Sequence, residues 1–138
     1  MIKNRYEYIE NIPKDKRIAD IGPQTIRNFR KELRRCQTVF SNGPMGIYEI
    51  ARFAKGTRIT VKLLANLGGI TVVSGGSTAE VVTEMGAADE MTFISTGGGA
   101  SLRFLGGESL PGVEVLMDKR LALESRLELI KSLARPSP

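Results

Sequence analysis

Short runs of β-branched and apolar residues alternate with helical patterns along this chain. Two of the junctions are built from glycine: Ser74-Gly75-Gly76-Ser77-Thr78 and Ser95-Thr96-Gly97-Gly98-Gly99-Ala100-Ser101. Glycine lets a backbone come close to an anion and adopt positive φ. The first turn of the helix that follows offers unpaired N–H groups and the positive end of its dipole. Each junction therefore reads as a turn that holds an anion, and two in one chain point to a polyphosphate.

The alternation can be followed from residue to residue. Arg17 to Ile21 reads as a short strand, Gly22-Pro23 as a turn with proline at the first helical position, and Gln24 to Arg35 as an amphipathic helix. Gln37 to Ser41 reads as a second strand, followed by the loop Asn42-Gly43-Pro44-Met45-Gly46 and a helical turn near Ile47 to Phe53. Gly56-Thr57 opens a longer helix to about Asn66 with Ile59, Leu63, Leu64 and Leu67 inward, and Gly68-Gly69 ends it before the strand Ile70-Thr71-Val72-Val73. Ser77 to Met85 reads as a helix, Phe93-Ile94 as a fourth strand and Ala100 to Leu105 as a helix. Val113 to Met117 then connects into a last helix, Asp118 to Pro138, with Leu123, Leu127, Ile130 and Ala134 at helical spacing.

Strands that alternate with helices predict an α/β fold: a Rossmann-like, three-layer parallel sheet of about four strands with flanking helices, because right-handed crossovers return each strand in the same direction. Residues 1–138 read as a single partial domain. Ligands of such sheets sit at the carboxyl ends of the strands. Asn42 to Gly46, Ser74 to Thr78 and Ser95 to Ser101 each follow a strand, so the fold would gather them on one rim. None is a Walker loop, since no Gly-Lys-Ser/Thr occurs, and none fits the dinucleotide fingerprint.

Composition narrows the chemistry. With 138 residues, 41% hydrophobic and 25% charged, the chain reads as one ordinary globular domain; its apolar runs are too short to span a bilayer and its start lacks a signal-peptide core, so a cytoplasmic location is expected. Cys36 is the only cysteine and histidine is absent, which removes internal disulfides, the common zinc sites and the usual general base. Phosphoryl transfer, which depends on positioning and charge stabilisation, passes that filter. The excess of 20 Lys and Arg over 15 Asp and Glu is partly concentrated in Arg27, Arg30, Lys31, Arg34 and Arg35. These alternate with the apolar stripe Ile26, Phe29, Leu33, so they read as a solvated helix face rather than a nucleic-acid footprint, and no aromatic platform accompanies them.

Three motifs carry a resemblance. Asp20-Ile21-Gly22-Pro23-Gln24-Thr25, Asn42-Gly43-Pro44-Met45-Gly46-Ile47-Tyr48-Glu49 and Ile94-Ser95-Thr96-Gly97-Gly98-Gly99-Ala100-Ser101 are similar, in order and spacing, to the C-terminal nucleotide-binding domain of phosphoglycerate kinases. Phe104-Leu105 and Leu110-Pro111-Gly112-Val113 continue the match, which covers about Asp20 to Leu116. The resemblance implies an enzyme that moves a phosphoryl group between 1,3-bisphosphoglycerate and Mg-ADP, giving 3-phosphoglycerate and ATP, between two lobes that close. It implies a nucleotide along Asn42, Gly43, Pro44, Gly46, Ile47 and Glu49, with Glu49 accepting from ribose hydroxyls. Gly75, Gly76, Ser77 and Thr78 would lie beside the β and γ phosphates, and Gly97, Gly98 and Gly99 would present amides to the transferring phosphoryl.

Plainer readings stand beside these. Gly43, Pro44 and Gly46 also shape a tight turn, although the constellation favours ligand contact. Glu49 also suits a helix N-terminus through the dipole, and Ser77-Thr78-Ala79-Glu80 reads as a capping box with or without phosphate. Ser77 stands where better-known members of the family have an aspartate that helps hold the metal nucleotide, as some archaeal-type members also do without. Magnesium would then lean on phosphates and water, and no protein metal ligand is assigned. Ser41 stands where many members have tryptophan, a packing change. Neither the family's N-terminal, phosphoglycerate-binding lobe nor its Gly-Gly-Ala-Lys loop occurs here. The chain reads as the last part of such a kinase, inactive alone, with an uncovered sheet edge that favours self-association or docking to the rest. The alternative is a stand-alone, non-catalytic nucleotide- or anion-binding module.

Overall fold

The computed structural model describes residues 6–116, so the expected helix from Asp118 to Pro138 lies outside the described residues. Three strands, β1 (Thr38–Asn42), β2 (Ile70–Ser74) and β3 (Phe93–Ser95), form a parallel sheet in the order β1-β2-β3. The helices are α1 (Pro23–Leu33), α2 (Lys55–Ala65), α3 (Gly76–Glu84), α4 (Gly98–Leu105) and the short α5 (Pro111–Glu114). The residues form two compact units, one up to Ser101 and one from Leu102. The second contains α5, with proline at its first position, and a turn at Gly107 (φ +75°) beside the exposed Arg103–Glu108 pair.

The register Ser41↔Val73↔Ile94 and Val39↔Thr71 puts these residues on one face of the sheet. There Val73 is buried with Val61 and Leu64 of α2, Val81 and Val82 of α3, and Ala87 and Met91 of the following loop; Val39 and Ile94 pack against the cluster. Each such aliphatic side chain contributes about 1.5–3 kcal/mol on burial. Thr71, also buried, exchanges hydrogen bonds with Thr92: each backbone N–H donates to the other's hydroxyl, at 3.0 and 3.1 Å. On the opposite face Ile70 and Phe93 are 52% and 60% exposed.

The strand expected at Arg17 to Ile21 does not form, so the sheet has three strands among the described residues rather than about four. Its polar groups go elsewhere. The Ala19 carbonyl accepts from Ile47 N at 2.9 Å, and the Asp20 carboxylate accepts from Ile21 N and Gly56 N, both at 2.8 Å. A ladder needs a neighbour with matching N–H and C=O groups; this segment instead pairs with a loop and a helix end.

The inward face of α2 also differs from expectation. Thr57, Thr60, Val61 and Leu64 are buried, while Ile59, Leu63 and Leu67 are half-buried. The threonines can enter because their hydroxyls are satisfied. Thr60 Oγ1 donates to the Gly56 carbonyl at 2.9 Å, and Thr57 Oγ1 accepts from Met45 N at 3.0 Å. Helix α1 packs on α2 with Ile26 and Leu33 half-buried, and Arg27, Arg30, Lys31, Arg34 and Arg35 are exposed.

Residue Asp20 supplies the cap that α2 lacks. Ala54, at the N-cap position, makes no side-chain hydrogen bond, and the carboxylate reaching Gly56 N comes from 36 positions earlier. A carboxylate there also opposes the positive end of the helix dipole. Replacing Asp20 by alanine should cost about 1–3 kcal/mol, read as a lower urea midpoint, whereas Asp20→Asn, which keeps one acceptor, should lose clearly less. Equal stability of Asp20→Ala and wild type would contradict the cap.

Candidate functional site

The parallel register aligns Asn42, Ser74 and Ser95, the last residues of the three strands, in one row. Two backbone bonds extend the alignment beyond the strands: Gly43 N donates to the Ser74 carbonyl at 3.4 Å, and Gly75 N to the Ser95 carbonyl at 2.9 Å. Gly43 and Gly75 have φ of +86° and +96°, conformations that disfavour any side chain. The chain turns sharply at both and leaves the sheet, at Gly75 straight into α3.

These turns meet. A Cβ placed on Gly98 would stand 3.0 Å from Asn42 Oδ1 and 3.1 Å from Gly75 Cα, so any side chain there would have to push Asn42 and the Gly75 backbone back. A Cβ on Gly99 or Gly76 would touch nothing. Asn42, Gly75 and Gly98 are thus brought into contact, and the first turns of α3 and α4 start from that point.

Both helices begin with unpaired donors. The N-cap of α3 is Gly75, with no side-chain cap, and the amides of Gly76, Ser77 and Thr78 have no hydrogen-bond partner among the described residues. In the third loop Gly97 N donates to Ser95 Oγ at 3.2 Å and Gly98 N to the Thr96 carbonyl at 3.1 Å, which leaves the amides of Gly99 and Ala100 without partners. Ser95 Oγ is also 3.0 Å from Ser101 Oγ. The capping box expected at Ser77 to Glu80 does not form. The helix begins one residue earlier, so Ser77 lies inside it, and Glu80 Oε2 accepts from the Tyr48 hydroxyl at 3.0 Å.

Two hydroxyls at this rim, Ser74 Oγ and Thr78 Oγ1, are buried and without a hydrogen-bond partner. Thr78 belongs to the expected phosphate contacts, whereas Ser74 opens the same glycine-rich turn with no ligand contact expected of it. What signalled Ser74 was its place at the strand end, between Asn42 and Ser95 in register.

The rest of the Asn42 to Glu49 loop has other anchors. Gly46 is fixed by packing: a Cβ there would stand 2.5 Å from the Phe53 carbonyl and 2.6 Å from Asp20 Oδ1. Pro44 is half-buried, and Ile47, 44% exposed, is tied by its amide to Ala19. Glu49 is exposed in a turn and makes no hydrogen bond or ion pair among the described residues. No group of three His, Cys, Asp or Glu able to hold a metal is present among the described residues. No helix among them is long and apolar enough to cross a membrane. An open concavity lined by Arg34, Cys36, Gln37 and Gly68 lies at the opposite, amino-terminal ends of β1 and β2, away from the glycine turns.

The family model described as phosphoglycerate kinase matches residues 2–108. The chain belongs to the phosphoglycerate kinase family. A phosphoglycerate kinase of Pelotomaculum thermopropionicum is 50% identical over 111 residues, 80% of this chain and 28% of the relative. One from Campylobacter hominis is 49% identical over 116 residues, covering 84% and 29%. Among solved structures, the phosphoglycerate kinase of Coxiella burnetii superposes with a TM-score of 0.70 at 34% identity over 80% of this chain and 28% of its own. That of Pyrococcus horikoshii gives 0.66 at 38% identity over 72% and 24%. This member of the family therefore spans about 28% of the length of the phosphoglycerate kinases it matches.

The close approach of Gly98 to Asn42 and Gly75 predicts a contrast between neighbouring glycines. Gly98→Val should lower the unfolding midpoint by an amount equivalent to about 1–3 kcal/mol, because its side chain must push back Asn42 and the backbone at Gly75. Gly99→Ala should be neutral or gain up to about 1 kcal/mol from helix propensity. Matching thermal melts for both variants would show that the loops are not in contact.

Proposed function

We propose that this chain is the nucleotide-holding part of a phosphoglycerate kinase and binds Mg-ADP or Mg-ATP at the rim formed by Asn42, Gly75 and Gly98. The observation that carries this reading is the set of unpaired amides: Gly76, Ser77 and Thr78 on α3, Gly99 and Ala100 on α4, starting from loops that touch. Two helix N-termini side by side favour a ligand with more than one negative charge, and a nucleoside polyphosphate has that form.

In this reading the free amides of Gly76, Ser77 and Thr78 hold the β and γ phosphates while Gly75 sets the turn, and the free amides of Gly99 and Ala100 face the phosphoryl in transfer. Gly97 and Gly98, expected from the resemblance to offer amides as well, have theirs bonded to Ser95 and Thr96 and shape the loop instead. The benefit of the free amides grows as charge spreads over the equatorial oxygens in the transition state, which is how positioned donors accelerate a reaction that needs little covalent help from the protein. Asn42, Gly43, Pro44, Gly46 and Ile47 form the wall toward the sugar, and the exposed Glu49 is free to accept from its hydroxyls. Magnesium arrives as part of the nucleotide: among the described residues this rim offers hydroxyls and no carboxylate cluster, so the metal would be held by phosphates and water. The reaction is phosphoryl transfer between 1,3-bisphosphoglycerate and ADP, a glycolytic step. The phosphoglycerate side belongs to kinase segments beyond the 28% of the relatives spanned here.

A second reading, a stand-alone nucleotide- or anion-binding module without turnover of its own, rests on the same unpaired amides. Both readings require Mg-ADP to bind this chain. Calorimetric titration with Mg-ADP, beside a size measurement on the same sample, should give binding of about 4–8 kcal/mol, micromolar to millimolar in dissociation constant. A folded sample that binds no Mg-ADP would remove both. Glu49→Ala should cost about 1 kcal/mol of Mg-ADP affinity while leaving affinity for inorganic pyrophosphate unchanged, since pyrophosphate has no ribose.

A further inference from the structure

The row Asn42, Ser74, Ser95 has a gap in its middle. Ser95 Oγ is engaged twice, by Gly97 N and by Ser101 Oγ. Ser74 is 0% exposed and its hydroxyl has no partner among the described residues. Leaving a buried hydroxyl unsatisfied is costly, and a site that keeps one commonly has a use for it. Next to it in register stands Asn42, exposed, whose amide makes no hydrogen bond among the described residues. Asn42 Oδ1 reaches over the strand end: it lies 3.5 Å from where a Cβ would stand on Gly75 and 3.0 Å from the equivalent point on Gly98.

We propose that Ser74 is a positioning residue for this site, acting through Asn42: its hydroxyl donates to Asn42 Oδ1 when a phosphoryl group occupies the rim, and so turns the two N–H donors of the Asn42 amide toward that group. The chemistry is complementary. A serine hydroxyl has one donor to give, the amide oxygen is an acceptor, and a phosphoryl oxygen accepts from Nδ2. With Oδ1 held, the amide cannot flip its oxygen toward the anion, an orientation that would repel it. Ser74 makes no contact with the ligand and adds no charge. Its contribution is to the orientation of a neighbour already in contact with Gly75 and Gly98. This inference rests on the nucleotide reading above.

The test is a double-mutant cycle in the full chain, read by calorimetry with Mg-ADP, with thermal melts of the nucleotide-free proteins alongside. Ser74→Ala removes only the hydroxyl, so the free chain should melt at the wild-type temperature or higher. Mg-ADP affinity should fall about three- to tenfold, the worth of one hydrogen bond. In an Asn42→Ala background the same substitution should change affinity by less than about twofold, because the amide it orients is gone. Ser74→Cys, close in size with a weak S–H donor, should fall between wild type and Ser74→Ala. Wild-type affinity in Ser74→Ala would overturn the proposal while leaving the nucleotide reading intact. So would a loss that persists in the Asn42→Ala background, or one accompanied by a lower melting temperature. Failure of the wild-type chain to bind Mg-ADP would overturn both together.

Discussion

The close approach of Gly75 and Gly98 beside Asn42 is the constraint on which the rest of this rim depends. It joins two helices at their positive ends. Each N-terminus carries about half an elementary charge, so bringing two together without a counter-ion is unfavourable, and nothing in the loops offsets it, since α3 has no side-chain cap and Glu80 is bonded to Tyr48 instead. Parallel pairing forces the arrangement. Once β1, β2 and β3 are in register, the backbone bonds from Gly43 to Ser74 and from Gly75 to Ser95 leave the loops little room to separate. An anion between the helix ends would turn a repulsive pair of dipoles into an attractive site, which is the physical ground of the binding proposed above.

A second anchor holds the other end of the Asn42 to Glu49 loop. Asp20 caps α2 and lies against Gly46, while Met45 N reaches Thr57 and Ile47 N reaches Ala19. These contacts at three consecutive residues, Met45, Gly46 and Ile47, fix the loop from behind and leave its front, Asn42 and Gly43, against the α3 turn. The glycines of a single motif thus have different reasons to be glycine. Gly43 needs positive φ, whereas Gly46 needs the absence of a Cβ next to two carbonyls and a carboxylate.

Much of this was legible in the residues, and the exceptions share a cause. The strands at Val39, Val72 and Ile94 and the helices after them follow from β-branched runs and glycine punctuation, which are local signals. Arg17 to Ile21 has the same local pattern but lacks a ladder partner, and partners are not local. The Ser77 to Glu80 box has the right letters, yet the helix starts at Gly76 and Tyr48, 32 positions from Glu80, takes the carboxylate. Thr57 and Thr60 displaced Ile59 and Leu63 from the core face because the hydroxyls found acceptors and donors within reach, which a periodicity that counts threonine as polar does not see. Ser74 is legible as the start of a glycine-rich turn, but its alignment with Asn42 and Ser95 is not, because that register is shared with two other strands.

The two faces of the sheet bear differently on this rim. The helix that presents most of the unpaired amides, α3, is held by Val81 and Val82 against Val73 on the core face, and that contact is complete within the chain. The opposite face still exposes much of Ile70 and Phe93, aromatic and aliphatic area that would contribute about 25 cal/mol for each square ångström covered. Asn42, Ser74 and Ser95 belong to that second face by register. The unpaired amides of α3 therefore depend on packing that is already in place, whereas the polar row shares its face with apolar residues that meet solvent. Covering that face would shield Asn42 without rearranging the α3 turn, because α3 is packed on the other side of the sheet.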